Sequence, residues 1–204
     1  MTITWLGHAA FLLESGEYRI VVDPCKGVPG VQDTTCDANA VFCSHGHFDH
    51  CYTDEIRLTE STSSPFTVRE IAAFHDEDSG AKRGANTIRV FTAEGVTVAH
   101  MGDLGHQLSP EQISSIGHVD VLLIPVGGTY TVDCAGAKAV ADAVNPRIVI
   151  PMHYRKGSMG FDVLQTVDEF TALFPSDHVR TLETNTLTLN DELLARGGVV
   201  VLNL

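Results

Sequence analysis

A chain of 204 residues, 44% apolar and 19% charged, has enough apolar surface for one full hydrophobic core but not for two, which excludes disorder and predicts a single domain over residues 1–204. Lys and Arg total 13 against 26 Asp and Glu, so the formal charge of −13 disfavours phosphate backbones and anionic lipid, and with them nucleic acid, as partners. Met1 to Ile20 carry no basic segment, cleavable apolar run or bilayer-length span, and the five cysteines (Cys25, Cys36, Cys43, Cys51, Cys134) form no C-x-x-C pair, so the expectation is a cytoplasmic protein with reduced thiols and no membrane span.

In chain order, short apolar runs predict about eleven strands, "TITWL", "AFLLE", "RIVVD", "AVFCS", "FTVREIAAF", "TIRVF", "VTVAH", "VDVLLIPV", "RIVIP", "TLTL" and "GVVVLNL". Glu14 to Glu17 reads as a hairpin turn, so the chain opens antiparallel. Ser61 to Pro65 and Glu77 to Asn86 read as loops. Ser109 before Pro110 and Glu111 predicts a helix start. A second helix runs from Asp133 to the stop at Asn145-Pro146, and a third from an Asp162 N-cap to Pro175. "VLLIPV" and "RIVIP" flank the second helix as a βαβ unit, which makes the fold class mixed α/β.

Ser44 to His50, "SHGHFDH", places three imidazoles and a carboxylate in one short segment directly after the strand "AVFC". His45 and His47 leave the strand end at an i, i+2 spacing that points both rings the same way, toward one ion. Asp49 and His50 lie past the strand end and point elsewhere, which suits a second ion beside the first. A solvated histidine-rich loop is the competing reading.

The H-x-H-x-D-H motif on this turn resembles the metallo-β-lactamase superfamily, and the similarity extends through "WLGHAAF", "VVDP", "HMGDLGH", "LLIPVGGTYT" and "IPMHY". It is most similar to the branch of ascorbate-6-phosphate lactonase-like proteins and N-acylphosphatidylethanolamine phospholipase D. The resemblance implies a four-layer αββα sandwich with the metal site at one edge. It implies two divalent ions, zinc first with manganese or iron as alternatives, and a bridging hydroxide that attacks an ester, lactone or phosphodiester bond of a small, anionic-tolerant substrate. Carried over residue by residue, His45, His47 and His75 hold the first ion, Asp49, His50 and His153 the second, and Asp103 bridges them. His100 is the rival to His75, and a core histidine is the alternative for His153. Asp49 or Asp103 orients the nucleophile, the leaving group takes its proton from a metal-bound water or from His106, and His106 otherwise supports a ligand or is an ordinary loop residue. His8 and Asp23 are expected to support the ligands or else to be a core histidine and a turn residue. Arg83 meets an anionic group or lies free on the surface, and Gly127 and Gly128 offer backbone N–H groups or simply turn the chain. His118 and His178 read as solvated.

An iron-bearing oxidoreductase of the mononuclear dioxygenase type is the second functional reading, the di-iron oxygen reductases being disfavoured by His47 where they carry Glu. The short stretch between Cys51 and Phe66 suggests an open cleft or one completed by homo-oligomerisation.

Overall fold

The computed structural model describes residues 1–60 and 63–204, so Ser61 and Thr62 of the first expected loop lie outside the described residues. The chain begins with β1 (Thr2–Gly7), β2 (Ala10–Ser15) and β3 (Tyr18–Val22), then β4 (Cys36–Ala38), β5 (Ala40–Phe42) and β6 (Ile56–Leu58). Three longer strands follow, β7 (Thr67–Phe74), β8 (Ala85–Ala93) and β9 (Val96–His100). Next come α1 (Pro110–Ile116), β10 (Val121–Pro125), α2 (Cys134–Val144), β11 (Ile148–Met152) and α3 (Val167–Thr171). A 3-10 turn (Ser176–His178), β12 (Val179–Thr181), β13 (Thr186–Thr188), α4 (Asp191–Arg196) and β14 (Gly198–Val201) complete the described elements.

Two sheets stack face to face. One has the order β13-β1-β2-β3-β5, and the other the order β12-β14-β11-β10-β9-β8-β7. Ile3 and Trp5 of β1, Phe11 and Leu13 of β2 and Ile20 and Val22 of β3 face Ile88, Val90, Val98 and Leu123 of the larger sheet in one continuous core. Period-two alternation in β1 and β8 supplies this inner face, while β10 and β11 are buried throughout because helices cover their other side. Over the outer face of the smaller sheet, Leu12 and Val21 pack against Ala38, Cys36 and Ile56 of a two-stranded ribbon, β4-β6, instead of a long helix.

β10, α2 and β11 form the expected βαβ unit, with parallel register from Val121 opposite Ile148 to Pro125 opposite Met152. Ser109 caps α1 with a full capping box, and Asp133 caps α2, which ends on Asn145 in the left-handed conformation (φ 53°). The third helix starts later than expected. Thr166 and Glu169 form its capping box, and the reciprocal bonds that pair makes outweigh the lone Asp162 start.

β1, β3 and β5 run in one direction in the smaller sheet, as do β7, β9, β10 and β11 in the larger one. Their C-terminal ends deliver His8, Asp23, His45 to His50, His75, Asp103 and His153 to one edge of the sandwich. Carboxyl ends of strands are where α/β sheets place their ligands. Among the described residues, no helix is long and apolar enough to cross a membrane.

Cys43 and Cys51 are joined by a disulfide, which corrects the expectation of five reduced thiols; Cys25, Cys36 and Cys134 are free. The loop after β5 doubles back, with the N–H groups of His50 and Cys51 both donating to His47 O, and so brings the two Cα atoms to 5.2 Å. A disulfide is commonest in oxidising compartments, so the pairing removes the support that reduced thiols lent to the cytoplasmic expectation.

Candidate metal centre

Asp103 lies at the middle of the cluster. Its Oδ1 is 3.1 Å from His50 Nε2, and its Oδ2 is 3.2 Å from His75 Nε2, 3.3 Å from His153 Nε2 and 4.0 Å from His45 Nε2. His45 Nε2 and His47 Nδ1 stand 3.0 Å apart. The donor atoms of His45, His47 and His75 form one close group, and those of His8, Asp49, His50 and His153 another. Every residue that the sequence suggests as a ligand is in these groups or, as Asp103, between them.

Three of the histidines are held from behind. Asp23 accepts from Ser44 N at 2.6 Å, from Ser44 Oγ at 2.5 Å and from His50 Nδ1 at 2.8 Å. Since the Ser44 hydroxyl donates to Asp23, the 2.9 Å contact between Ser44 Oγ and His45 Nδ1 requires the imidazole to donate. His75 Nδ1 donates to the Tyr130 carbonyl at 3.0 Å. In each case Nδ1 is anchored from behind and Nε2 faces the cluster, which is the outer-shell arrangement of metal-ligating histidine. Asn86, which the sequence reading missed, accepts from Asp103 N at 3.0 Å and donates to Met101 O at 2.9 Å, fixing the turn that carries the carboxylate. Nothing in the sequence signals it: Asn86 reads there as the end of the Glu77 to Asn86 loop, whereas it is a buried residue of β8.

His8, Asp23 and His153 all have positive φ, at 53°, 48° and 54°. Non-glycine residues with this backbone cluster at functional sites, where surrounding structure imposes the strain. Gly102 has φ 55°, and a Cβ there would come within 2.3 Å of Asn86 Oδ1, so only glycine lets this turn pass.

Burial, assisted by His50, lowers the proton affinity of His45 to a pKa of about 4, and burial with His153 lowers that of His8 to about 3. Burial works to raise the Asp103 carboxyl, but the imidazoles of His153 and His50 outweigh it and hold it well below its ordinary range. The donor set fits divalent metal: burial holds His45 and His8 neutral, and Asp103 is ionised. Burial opposes a proton on His50, but the Asp103 and Asp23 carboxylates outweigh it and raise its affinity, so an ion binding at its buried Nε2 displaces that proton. Two donors each about 2.1 Å from one ion are separated by roughly 3.0–3.4 Å, the spacing seen around Asp103.

Other expected residues fall differently. His100 donates through Nε2 to Ala9 O at 2.9 Å and accepts at Nδ1 from Gly102 N at 3.1 Å, so it is a satisfied core histidine and His75 occupies the cluster. His106 does not reach the cluster: Nδ1 donates to Gln107 O at 2.8 Å and Nε2 accepts from Phe74 N at 3.1 Å, leaving no proton for a leaving group. Gly128 N donates to Val132 O, and a Cβ on Gly127 would come within 2.2 Å of His153 O, so both glycines serve the turn and lie outside the cleft lining. His118 is exposed and pairs with Asp120, and His178 is exposed in the 3-10 turn.

The cluster opens into a cleft of about 580 Å³, walled by Phe48, Tyr130 and Phe161 and by Arg83. Arg83 lies over the Tyr130 ring at 5.6 Å and donates from Nη2 to Thr129 O at 3.0 Å. Asp76, also missed in the sequence, fixes the Arg83 loop by accepting the N–H groups of Asp78, Gly80, Lys82 and Arg83.

Residues 2–153 match the family model of the beta-lactamase superfamily domain, and the chain belongs to that superfamily. Within it the chain is a member of the UPF0173 metal-dependent hydrolase family. It is 30% identical to the member from Archaeoglobus fulgidus over 195 residues, covering 76% of this chain and 83% of the relative. It is 31% identical to the member from Desulforamulus reducens over 193 residues, covering 76% and 84%. A crystal structure of a metallo-beta-lactamase superfamily protein from Thermotoga maritima is 37% identical, covers 98% of this chain and 97% of its own, and superposes with a TM-score of 0.77. The metallo hydrolase Igni18 from Ignicoccus hospitalis, 20% identical with 99% and 94% coverage and a TM-score of 0.66, shares the fold.

Proposed function

We propose that this chain is a hydrolase that holds two divalent ions, zinc first, and cleaves an ester, lactone or phosphodiester bond of a small substrate. The supporting observation is Asp103, a buried carboxylate contacted through Oδ1 by His50 and through Oδ2 by His75 and His153. His45, His47 and His75 would hold one ion, Asp49, His50 and His153 the other, and Asp103 both. Held there, the ions would supply hydroxide at neutral pH and Lewis-acid stabilisation of negative charge on the attacked carbonyl or phosphoryl oxygen.

The chain's own residues do the rest. Asp23, through Ser44 and directly, fixes the rings of His45 and His50. Phe48, Tyr130 and Phe161 form the apolar wall of the cleft, and Arg83 presents a guanidinium to an anionic group of the substrate. Lactone and phosphodiester bonds are the first candidates, because they are the bonds of the branch that the sequence resembles. The relatives' description as metal-dependent hydrolases supports the reaction class.

The test is a screen of ester, lactone, phosphodiester and thioester substrates with metal-loaded protein, the Asp103→Ala variant serving as blank. Turnover above that blank is expected for one bond class. Two bound ions with no turnover above it, or iron with oxygen consumption, would overturn the proposal.

A further inference from the structure

His8 follows β1 and lies at the second group of donors, with its side chain fully buried. Its backbone is pinned, because its carbonyl accepts from Trp5 Nε1 at 3.0 Å and from His153 N at 3.1 Å. Its ring lies tilted by 38° against that of His153, centroids 3.9 Å apart, and meets Phe161 edge-on at 5.7 Å. Yet neither Nδ1 nor Nε2 has a hydrogen-bond partner. An unpaired buried polar group is destabilising, so a ring present only for packing is poorly explained. His100 makes the contrast: it is equally buried, and the fold satisfies both of its nitrogens.

The nearest polar atom offers a reason. His8 Nε2 is 3.5 Å from Asp49 Oδ2, long for a hydrogen bond but within the roughly 3.0–3.6 Å that separates neighbouring donors on one ion at angles of about 90–120°. One donor atom from each of His8, Asp49, His50 and His153 can be chosen so that all lie within 4.8 Å of one another. We propose that His8 is a direct ligand of the second ion, so that this site draws on His8, Asp49, His50 and His153 as well as Asp103.

The inference rests on the two-ion reading above and adds an asymmetry to it. The first group has three donors of its own and the second has four, so the second ion has the larger set of protein donors.

Cobalt(II) titration of the metal-free protein tests this, followed by calorimetry and by the visible absorption of the bound ion. The starting protein should bind two equivalents; binding of fewer would sink the two-ion reading itself, before His8 is at issue. His8→Phe keeps a ring against His153 without nitrogen. It should hold one equivalent normally and the other at least about 100-fold more weakly, beyond the 10–100-fold range of an outer partner, with a changed visible band for that equivalent. His8→Ala leaves room for a free ring, and added imidazole should restore the second affinity there but not in His8→Phe. If His8→Phe does not fold, His8→Ala with and without imidazole decides alone. Two equivalents bound with unchanged affinity and spectrum in the folded variant would overturn the assignment, as would an affinity loss in His8→Ala that imidazole leaves unrepaired.

Discussion

Asp23 and His50 form a fully buried carboxylate–imidazole pair, Oδ2 to Nδ1 2.8 Å, that turns His50 Nε2 toward Asp103 Oδ1. The same carboxylate reaches His45 through Ser44, so one residue orients a donor in each group. Asp23→Ala should weaken both metal sites, with a loss of 10–100-fold, typical of removing an outer partner, at the one that uses His50. It also strands the buried His50 Nδ1–H, and the metal-free variant should lose about 1–3 kcal/mol in denaturant unfolding. Unchanged calorimetric affinity in a folded variant would show that the pair does not position ligands.

The Cys43–Cys51 disulfide closes a short ring around Ser44 to His50, the segment that carries four of the proposed ligands. Cross-linking so short a loop stabilises by about 2–3 kcal/mol in the chain-entropy model, and a Cys43→Ser, Cys51→Ser protein should unfold at correspondingly lower denaturant. Thiol counting checks the pairing itself. Denatured protein without reductant should show three thiols, and reduced protein five. In the native state Cys25 and Cys134 should react slowly at pH 8, since burial raises both thiols, Cys134 to about 12. Five thiols without reductant would rule the disulfide out.

What the sequence revealed of this architecture depended on how local the signal was. The β10-α2-β11 unit was legible because apolar runs, an Asp133 cap and the Asn145-Pro146 stop are all encoded within the segment. Strands β4, β6 and β12, three residues each, were not, because they exist through pairing with distant partners and are too short for alternation to show. His45 to His50 stood out as a dense motif, and His75, Asp103 and His153 each follow a visible strand. His100 was legible as a strand-interior, packed histidine, but the roles of His8 and His106 were not, because a histidine's chemistry is set by what its two nitrogens meet, and that is settled only once the chain has folded. The disulfide was hidden likewise, since its partners meet only after the loop folds onto His47 O.

Asp76 gathers four backbone N–H groups, those of residues 78, 80, 82 and 83, at 2.7–3.0 Å, and so fixes the loop that presents Arg83 to the cleft. Asp76→Ala should abolish slow hydrogen exchange at the Lys82 and Arg83 amides while leaving the strands protected. Arg83→Leu should raise KM for an anionic substrate by about 10-fold or more with little change in kcat, as expected for a lost charge-assisted hydrogen bond, and should leave a neutral analogue unaffected. Equal effects on both substrates would remove Arg83 from recognition.

Metal removal addresses the centre as a whole. Asp103 is buried among His45, His50, His75 and His153 at 3.1–4.0 Å, an arrangement that sets four Nε2 atoms around one carboxylate. Ions that bind the folded chain and not the unfolded one stabilise it by mass action, about 4 kcal/mol when free metal is 1,000-fold above Kd. For a chain of this length each kcal/mol shifts Tm by about 2–4 °C, so chelation should lower Tm by roughly 8–16 °C and metal should restore it. Asp103→Asn keeps the shape but removes the charge that both groups share, so its Tm should respond far less to either treatment. A starting protein whose Tm is indifferent to chelator and metal alike would mean that the cluster binds no ion with structural consequence, and the two-ion reading would fail with it.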